Sequence, residues 1–164
     1  MKSVDMGLAM KEGMRRLASG VSVVTAKDRD GNPFAMTATS VTSVSDSPAS
    51  LLVCINKGTR MFEAVDQGSN FCVNLLDRGQ EDISNRCASG DQGLDRFATG
   101  DWKEESGLKY LEGSLASFFC SQAQSHDFGT HRIVIGEITK VLIADDEAIE
   151  PLVYLNGGYG GVNS

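Results

Sequence analysis

The sequence predicts a mainly β protein, a closed or nearly closed barrel carrying two or three short helices. Roughly seven extended segments recur along the chain, each short and rich in β-branched or aromatic residues. Helical periodicity is confined to brief stretches. Eighteen glycines among 164 residues supply the tight turns that such an architecture needs.

The elements follow in order. Met6, Met10, Met14 and Leu17 recur at helical spacing, so residues 5–18 are predicted as an amphipathic helix ending near Gly20, its methionine face packed on the body of the domain. GVSVVTAK (20–27), the turn DRDGN (28–32) and PFAMTATS (33–40) read as a hairpin. SLLVCIN (50–56) is apolar enough to be buried on both faces. Residues 59–67 form a short helix capped by Thr59 and closed by Gly68, and NFCVNLL (70–76) is a strand. GQEDISNRCAS (79–89) is a further short helix ended by Gly90, after which 90–112 reads as an irregular surface excursion. Strands resume at 114–125, 131–145 and 151–156, with Gly136 a bulge or bend in the longest of them. There is no internal repeat or linker, so residues 1–164 are expected to form one domain.

Composition narrows the function. A net charge of −7 with fifteen dispersed Lys and Arg argues against nucleic acid, which needs a cationic stripe. No segment approaches the roughly 18 apolar residues of a membrane span, and the N-terminus is interrupted by charges that a signal peptide would not carry. Cys54, Cys72, Cys87 and Cys120 form no C-x-x-C pair, and three of them lie in apolar runs, so they read as reduced thiols of a cytoplasmic protein.

Conventional catalytic groups are scarce. The glycines at 157–161 open no helix, so they are no dinucleotide fingerprint, and G-x-x-x-x-G-K-[ST] and G-x-S-x-G are both missing. His126 and His131 are five apart, without the carboxylates that would complete a metal site. No catalytic side chain is nominated; an enzyme of this composition would take its chemistry from a cofactor. AMTATSVTSVS (35–45) is the conspicuous alternative: six of its eleven residues carry a hydroxyl and none a charge. Such a segment either satisfies strand and turn preferences or offers neutral hydrogen bonds to a polar ring or a phosphate.

Taken in order, GVSVVTAKDRDGNPFAMTATSVTSVSDSP, LLVCINKGTRMFEAV, FCVNLL, the Q-x-x-x-S-x-x-x-A of Gln80–Ala88, DRF (95–97), GTHRIVIGEI and PLVY resemble the short-chain flavin reductases. These are the reductase components of two-component flavin-dependent monooxygenases, built on the FMN-binding split β-barrel. The resemblance runs from about Arg15 to Tyr159. It implies hydride transfer from NADH (or NADPH) to FMN or FAD, a homodimer with flavin near the subunit interface, and a separate oxygenase partner. No Arg pair marks a 2′-phosphate site, which favours NADH.

By the same resemblance, Thr37, Ala38, Thr39 and Ser40 contact the isoalloxazine edge and ribityl chain, with Ser43 and Val44 nearby. KGTRMF holds the phosphate through Thr59, Arg60 and the segment's Met61, at a helix N-terminus. His131, in GTHRIVIGE, is expected beside the nicotinamide, and Tyr159 resembles a C-terminal aromatic of the same pocket. Thr130 stands where the family usually has Asp, and Cys87 where Phe is common near the flavin. A non-catalytic flavin or heme binder and an oxidase like the pyridoxamine-phosphate oxidases remain alternatives on the same barrel.

Overall fold

A computed structural model describes residues 3–145 and 147–162. The chain opens with helix α1 (Met6–Met14), whose first turn is capped by the Asp5 carboxylate accepting from the Gly7 and Leu8 amides. Strands β1 (Ser19–Gly20), β2 (Ser22–Lys27), β3 (Pro33–Ala38), β4 (Val41–Asp46) and β5 (Ala49–Asn56) follow. Next come α2 (Arg60–Asp66), β6 (Phe71–Leu75), and a single 3-10 turn leading into α3 (Glu81–Cys87). The remainder is β7 (Trp102–Glu105), β8 (Leu108–Leu111), β9 (Ala116–Phe128), β10 (His131–Ile143), β11 (Val153–Leu155) and β12 (Gly158–Gly160).

Seven of these strands form one antiparallel sheet in the order β3-β2-β6-β9-β10-β5-β4. Its two outermost strands, β3 and β4, are consecutive in the chain and separated only by Thr39 and Ser40. Three Cα–Cα steps reach at most about 11 Å. The sheet therefore curls until its edges lie side by side, yet no ladder joins them: this is a split barrel. Val24, Phe34, Leu51, Val53, Ile55, Phe71, Val73 and Val134 fill its interior, and Met61 of α2 closes it from one end.

A second apolar layer lies outside the sheet, where Val21, Val23, Ala35 and Leu76 meet Ile83 and Cys87 of α3, Leu111 of β8 and Leu152. This cover makes β2 and β6 the strands buried on both faces. The sequence assigns that property to 50–56, but β5 alternates instead, with Leu51, Val53 and Ile55 inward and Leu52 and Cys54 half-buried. Part of the cover is the β7–β8 hairpin, which replaces the irregular excursion expected over 90–112. Its turn at Ser106–Gly107 has positive φ at both residues (53° and 78°), as a two-residue hairpin requires. Thr25 donates its hydroxyl to the Lys109 carbonyl, tying hairpin to sheet.

The α1 face is a second correction. None of its residues is buried, and Met6 remains 73% exposed. The helix attaches chiefly through the Arg15 guanidinium, which donates to the Asn156 carbonyl, and through the Asn156 amide, which donates to the Arg15 carbonyl. Met10 and Met14 border a cleft against the barrel instead of packing on it.

Two interior residues fix the barrel. Asn74 is fully buried; its amide donates to the Val23 carbonyl, and its Oδ1 accepts from the Leu111 amide and the Ser117 hydroxyl, joining β2, β6, β8 and β9. Gly136 sits where the β9–β10 register shifts, and a Cβ there would lie 2.6 Å from Phe71 Cζ and 2.7 Å from Cys120 Cβ. Glycine at the sequence-predicted bulge is thus a steric necessity. Gly136→Ala is expected to destabilise the fold by about 1–3 kcal/mol through overpacking, read as a lower urea midpoint. Asn74→Leu is expected to cost about 3 kcal/mol or more in the same measurement, because it orphans several buried polar groups at once.

Candidate functional site

AMTATSVTSVS spans the seam of the barrel. Thr37, on β3, turns outward and donates its hydroxyl to the Ser84 carbonyl of α3 at 2.6 Å, so that hydroxyl is committed to structure. Ala38 is buried in the interior cluster. At the crossing, the Ser40 hydroxyl donates to the Cys54 carbonyl at 3.1 Å and accepts from the Cys54 amide at 3.2 Å. One side chain thereby does for β5 what the backbone of a neighbouring strand would otherwise do. Among the described residues, the Thr39 hydroxyl and the backbone amides of Thr39 and Ser40 have no protein partner. They are exposed beside a cleft of about 520 Å³, lined also by Val41, Thr42, Cys54, Tyr154, Asn156 and the α1 methionines Met10 and Met14. Ser43 and Val44 lie further along edge strand β4, exposed and outside that lining.

The crossing, the α2 turn and His131 share one rim. Cys54 is two residues, or about 7 Å, from Asn56 along β5. Asn56 opens the turn into α2: its side chain accepts from the Gly58 amide, and its carbonyl accepts from the Thr59 amide and hydroxyl. Thr59 caps α2, its Oγ1 accepting from the Phe62 amide at 3.3 Å, as the sequence predicts. The Arg60 and Met61 amides, at the first two helical positions, have no intrahelical acceptor. The Met61 side chain is fully buried, so only its backbone can serve the rim. The Arg60 guanidinium bends to Asp28 at 3.3 Å and lies 4.8 Å over the Phe34 ring. His131 starts β10 directly opposite Asn56, is exposed, and holds its Nδ1 2.8 Å from the Thr130 hydroxyl. Next to it, Arg132 forks onto Asp127, reaches Asp66 at 2.7 Å and covers Phe62, which anchors α2 to the β9–β10 hairpin.

Tyr159 is a layer removed. Its hydroxyl is 2.7 Å from Ser84 Oγ in the outer apolar cluster. The aromatic ring that lines the cleft is Tyr154, paired with Tyr159 across β11 and β12. PLVYLN carries no alternation signal for it, since Leu152 is buried and Tyr154, two residues on, is exposed. Cys87 is buried under α3, its thiol pushed up to about 11 by burial despite the pull of Arg96 and Arg86. Burial likewise pushes Cys120 up to about 12.

The arrangement fits a planar heteroaromatic ring: a mostly apolar slot of ordinary ligand size with uncharged donors along the seam and Lys11 and Arg15 on the α1 side. Residues 14–163 match the family model of the flavin reductase like domain. The chain belongs to that flavin-reductase-like family. The FMN reductase (NADH) RutF of Pseudomonas syringae pv. syringae (strain B728a) is 35% identical over 153 residues, covering 93% of this chain and 84% of the relative. A relative in Rhizobium meliloti (strain 1021) is 37% identical over 152 residues, but there the match spans 92% of this chain and only 47% of the relative's length. Among solved structures, the Streptomyces globisporus C-1027 NADH:FAD oxidoreductase SgcE6 superposes with a TM-score of 0.88 at 29% identity, covering 100% of this chain and 98% of that one. The styrene monooxygenase flavin reductase of Pseudomonas putida S12 gives 0.83 at 26% identity, covering 94% and 97%.

In this flavin-reductase-like chain the Asp28 carboxylate is held below the usual carboxylate range, chiefly by the Asn32 amide and further by Arg60 and the Asp30 amide, against the opposing effect of partial burial. A depressed carboxylate contributes stability above its unfolded pKa and loses it as pH falls through the folded one. Asp28→Asn is therefore expected to lower the urea midpoint at pH 7. The gap to the parent chain should narrow as pH falls below about 4, the ordinary aspartate value, and close only below the depressed folded value, where the parent carboxylate is protonated as well.

Proposed function

We propose that this chain is an NADH-dependent flavin reductase that binds FMN or FAD at the barrel seam and delivers it reduced to a flavin-dependent oxygenase. The observation that carries the reading is the Thr39–Ser40 crossing, with its unpaired neutral donors beside a ring-sized cleft in a chain of this family. When bound, the flavin accepts at N5 a hydride from C4 of the reduced nicotinamide, chemistry that needs no side-chain nucleophile.

The residues supply grip and placement. Thr39, through its hydroxyl and amide, and the Ser40 amide donate to the ring edge, while Thr37 and Ala38 hold the end of β3 and Ser43 and Val44 flank the approach. The Arg60 and Met61 amides, at the terminus capped by Thr59, face the flavin phosphate, and the Arg60 side chain adds positive charge nearby. His131, oriented by Thr130 in place of the family's Asp, positions the nicotinamide; Tyr159 supports the cleft wall from behind. Holding two rings in stacking register is worth several powers of ten in rate by itself.

The chain acts as a homodimer in this reading, since the α1 face, Phe128 (83% exposed) and Ile143 present apolar surface of the kind that a second subunit covers. The four cysteines are free, which agrees with a reducing, cytoplasmic setting, and none of the described helices is long and apolar enough to cross a membrane.

Anaerobic stopped-flow mixing with FMN, FAD or riboflavin and each nicotinamide tests the reading: NADH oxidation stoichiometric with flavin bleaching is expected, and its absence with every flavin overturns it. Thr39→Val is expected to weaken flavin binding by about 1–3 kcal/mol, measured as Kd by equilibrium titration. His131→Ala is expected to raise the KM for NADH several-fold more than it raises the flavin Kd. The reverse pattern would remove His131 from the nucleotide site.

A further inference from the structure

Tyr154 closes the PLVY motif without having been assigned a role there, and the fold fixes its ring from both neighbouring strands. Strand β11 is hydrogen-bonded on both sides, with Tyr154 opposite Ser19 of β1 and Tyr159 of β12. The Tyr159 ring braces it edge-on, centroids 5.4 Å apart at 65°. Tyr159 is itself fastened by its hydroxyl, 2.7 Å from Ser84 Oγ, and Ser84 is fully buried on α3. A chain of contacts thus runs from a buried helix to a ring that is still 39% exposed and lines the cleft along with Thr39–Thr42. Among the described residues the Tyr154 hydroxyl has no protein partner, so its own polar group is not what holds it.

We propose that Tyr154 is the aromatic wall of the flavin slot and that it selects for the oxidised ring over the reduced one. The proposal rests on the flavin-reductase reading above. A phenol ring is electron-rich. Oxidised isoalloxazine is planar and electron-poor, so the two π systems attract; the reduced ring, which has taken up two electrons with the hydride and is anionic near N1, is electron-rich and gains less. Differential contact of this kind binds the substrate form and loosens the product form, which suits a reductase whose product leaves for a second protein. The neutral donors at Thr39 and Ser40 hold either form by its edge. Tyr154 supplies the difference between them.

The test measures Kd for FMN in both oxidation states, by ultrafiltration in air and anaerobically after dithionite reduction. Tyr154→Leu is expected to weaken oxidised FMN about tenfold, the upper range for an aromatic pair, and reduced FMN less than threefold. That asymmetry raises the midpoint potential of bound FMN, by about 30 mV for each tenfold change in the affinity ratio. Tyr154→Phe is expected to keep the oxidised affinity within about twofold, and Tyr154→Trp to widen the preference. The Phe and Trp variants preserve the packing on Tyr159 and keep the test decisive if the Leu variant does not fold. Equal losses for both oxidation states would make Tyr154 a mere support for the cleft and overturn the proposal, as would no change in either. Should the parent chain itself bind no flavin, the function assigned to the seam fails first, which is a separate result.

Discussion

The bond pair between the Ser40 hydroxyl and the two backbone groups of Cys54 is the constraint on which the site depends. A sheet that curls until its first and last strands are adjacent has two ways to treat the seam. It can close the ladder, which consumes every amide there, or leave two open edges, which invites pairing with another chain. This protein leaves β3 and β4 unladdered but secures the crossing between them. A single side chain satisfies β5 at the point where β4 departs, so the strand is not left raw. The backbone of the crossing is then free to turn its donors toward the cleft. Structure and proposed site meet in the same residue: the hydroxyl is used for folding, which leaves the amides without a partner among the described residues.

A seam left open needs a stiff surround. The long β9–β10 pair, the buried Asn74 hub and the outer layer of α3 and the β7–β8 hairpin provide it from three directions. Gly136 lets β10 approach Phe71 and Cys120 closely enough for the barrel to curl. On the rim, Arg132 ties the C-terminal end of α2 to the β9–β10 hairpin through Asp66 and Asp127, which fixes where the other end of that helix points. The Asp127 carboxylate is held below its usual range chiefly by the Arg132 hydrogen bonds. The two carboxylates of these pairs are solvent-exposed, so their value lies in geometry more than in stability.

Much of this was legible in the residues. The β2–β3 hairpin, the Thr59 cap, the α3 helix and the Gly136 irregularity follow from local rules of turn chemistry and capping, which act over a few residues and leave their mark there. The family resemblance pointed to residues 37–40 because their order among other motifs is informative even where each is weak. Side-chain direction was not legible. Thr37 and Thr39 lie on alternate positions and should share a face, but β3 ends at Ala38, and the bend at Thr39 separates them. The sequence merged 35–45 into one strand and its loop; the structure splits it into two strands that pair with different neighbours, a non-local choice that no window of eleven residues can express. The β7–β8 hairpin was hidden for a related reason: Lys103, Glu104, Glu105 and Lys109 dilute its apolar pattern, and Trp102, Leu108 and Leu111 become intelligible only against the surface they cover. Tyr159 drew attention through its motif, whereas Tyr154 is distinguished only by which way β11 turns it.

The distribution of charge explains why hydroxyls recur at every junction of the site. Ser40 holds Cys54, Thr59 holds Asn56, Thr130 holds His131, and Ser84 holds both Thr37 and Tyr159. On the α2 side of the rim full charges are paired with one another, Arg60 with Asp28 and Arg132 with Asp127 and Asp66, while Lys11 and Arg15 stand on the opposite, α1 wall of the cleft. A carboxylate or ammonium set directly against the ring edge at the seam would favour one charge state of a redox ring by an amount that grows as water is excluded. Such a site would become a trap for either substrate or product. Neutral donors carry a smaller bias than a full charge, because a hydroxyl or an amide can bond the carbonyl edge of the ring before and after electrons arrive. A slot built this way can turn its ligand over, and the weaker discrimination of an aromatic wall can then set the direction of exchange without stopping it.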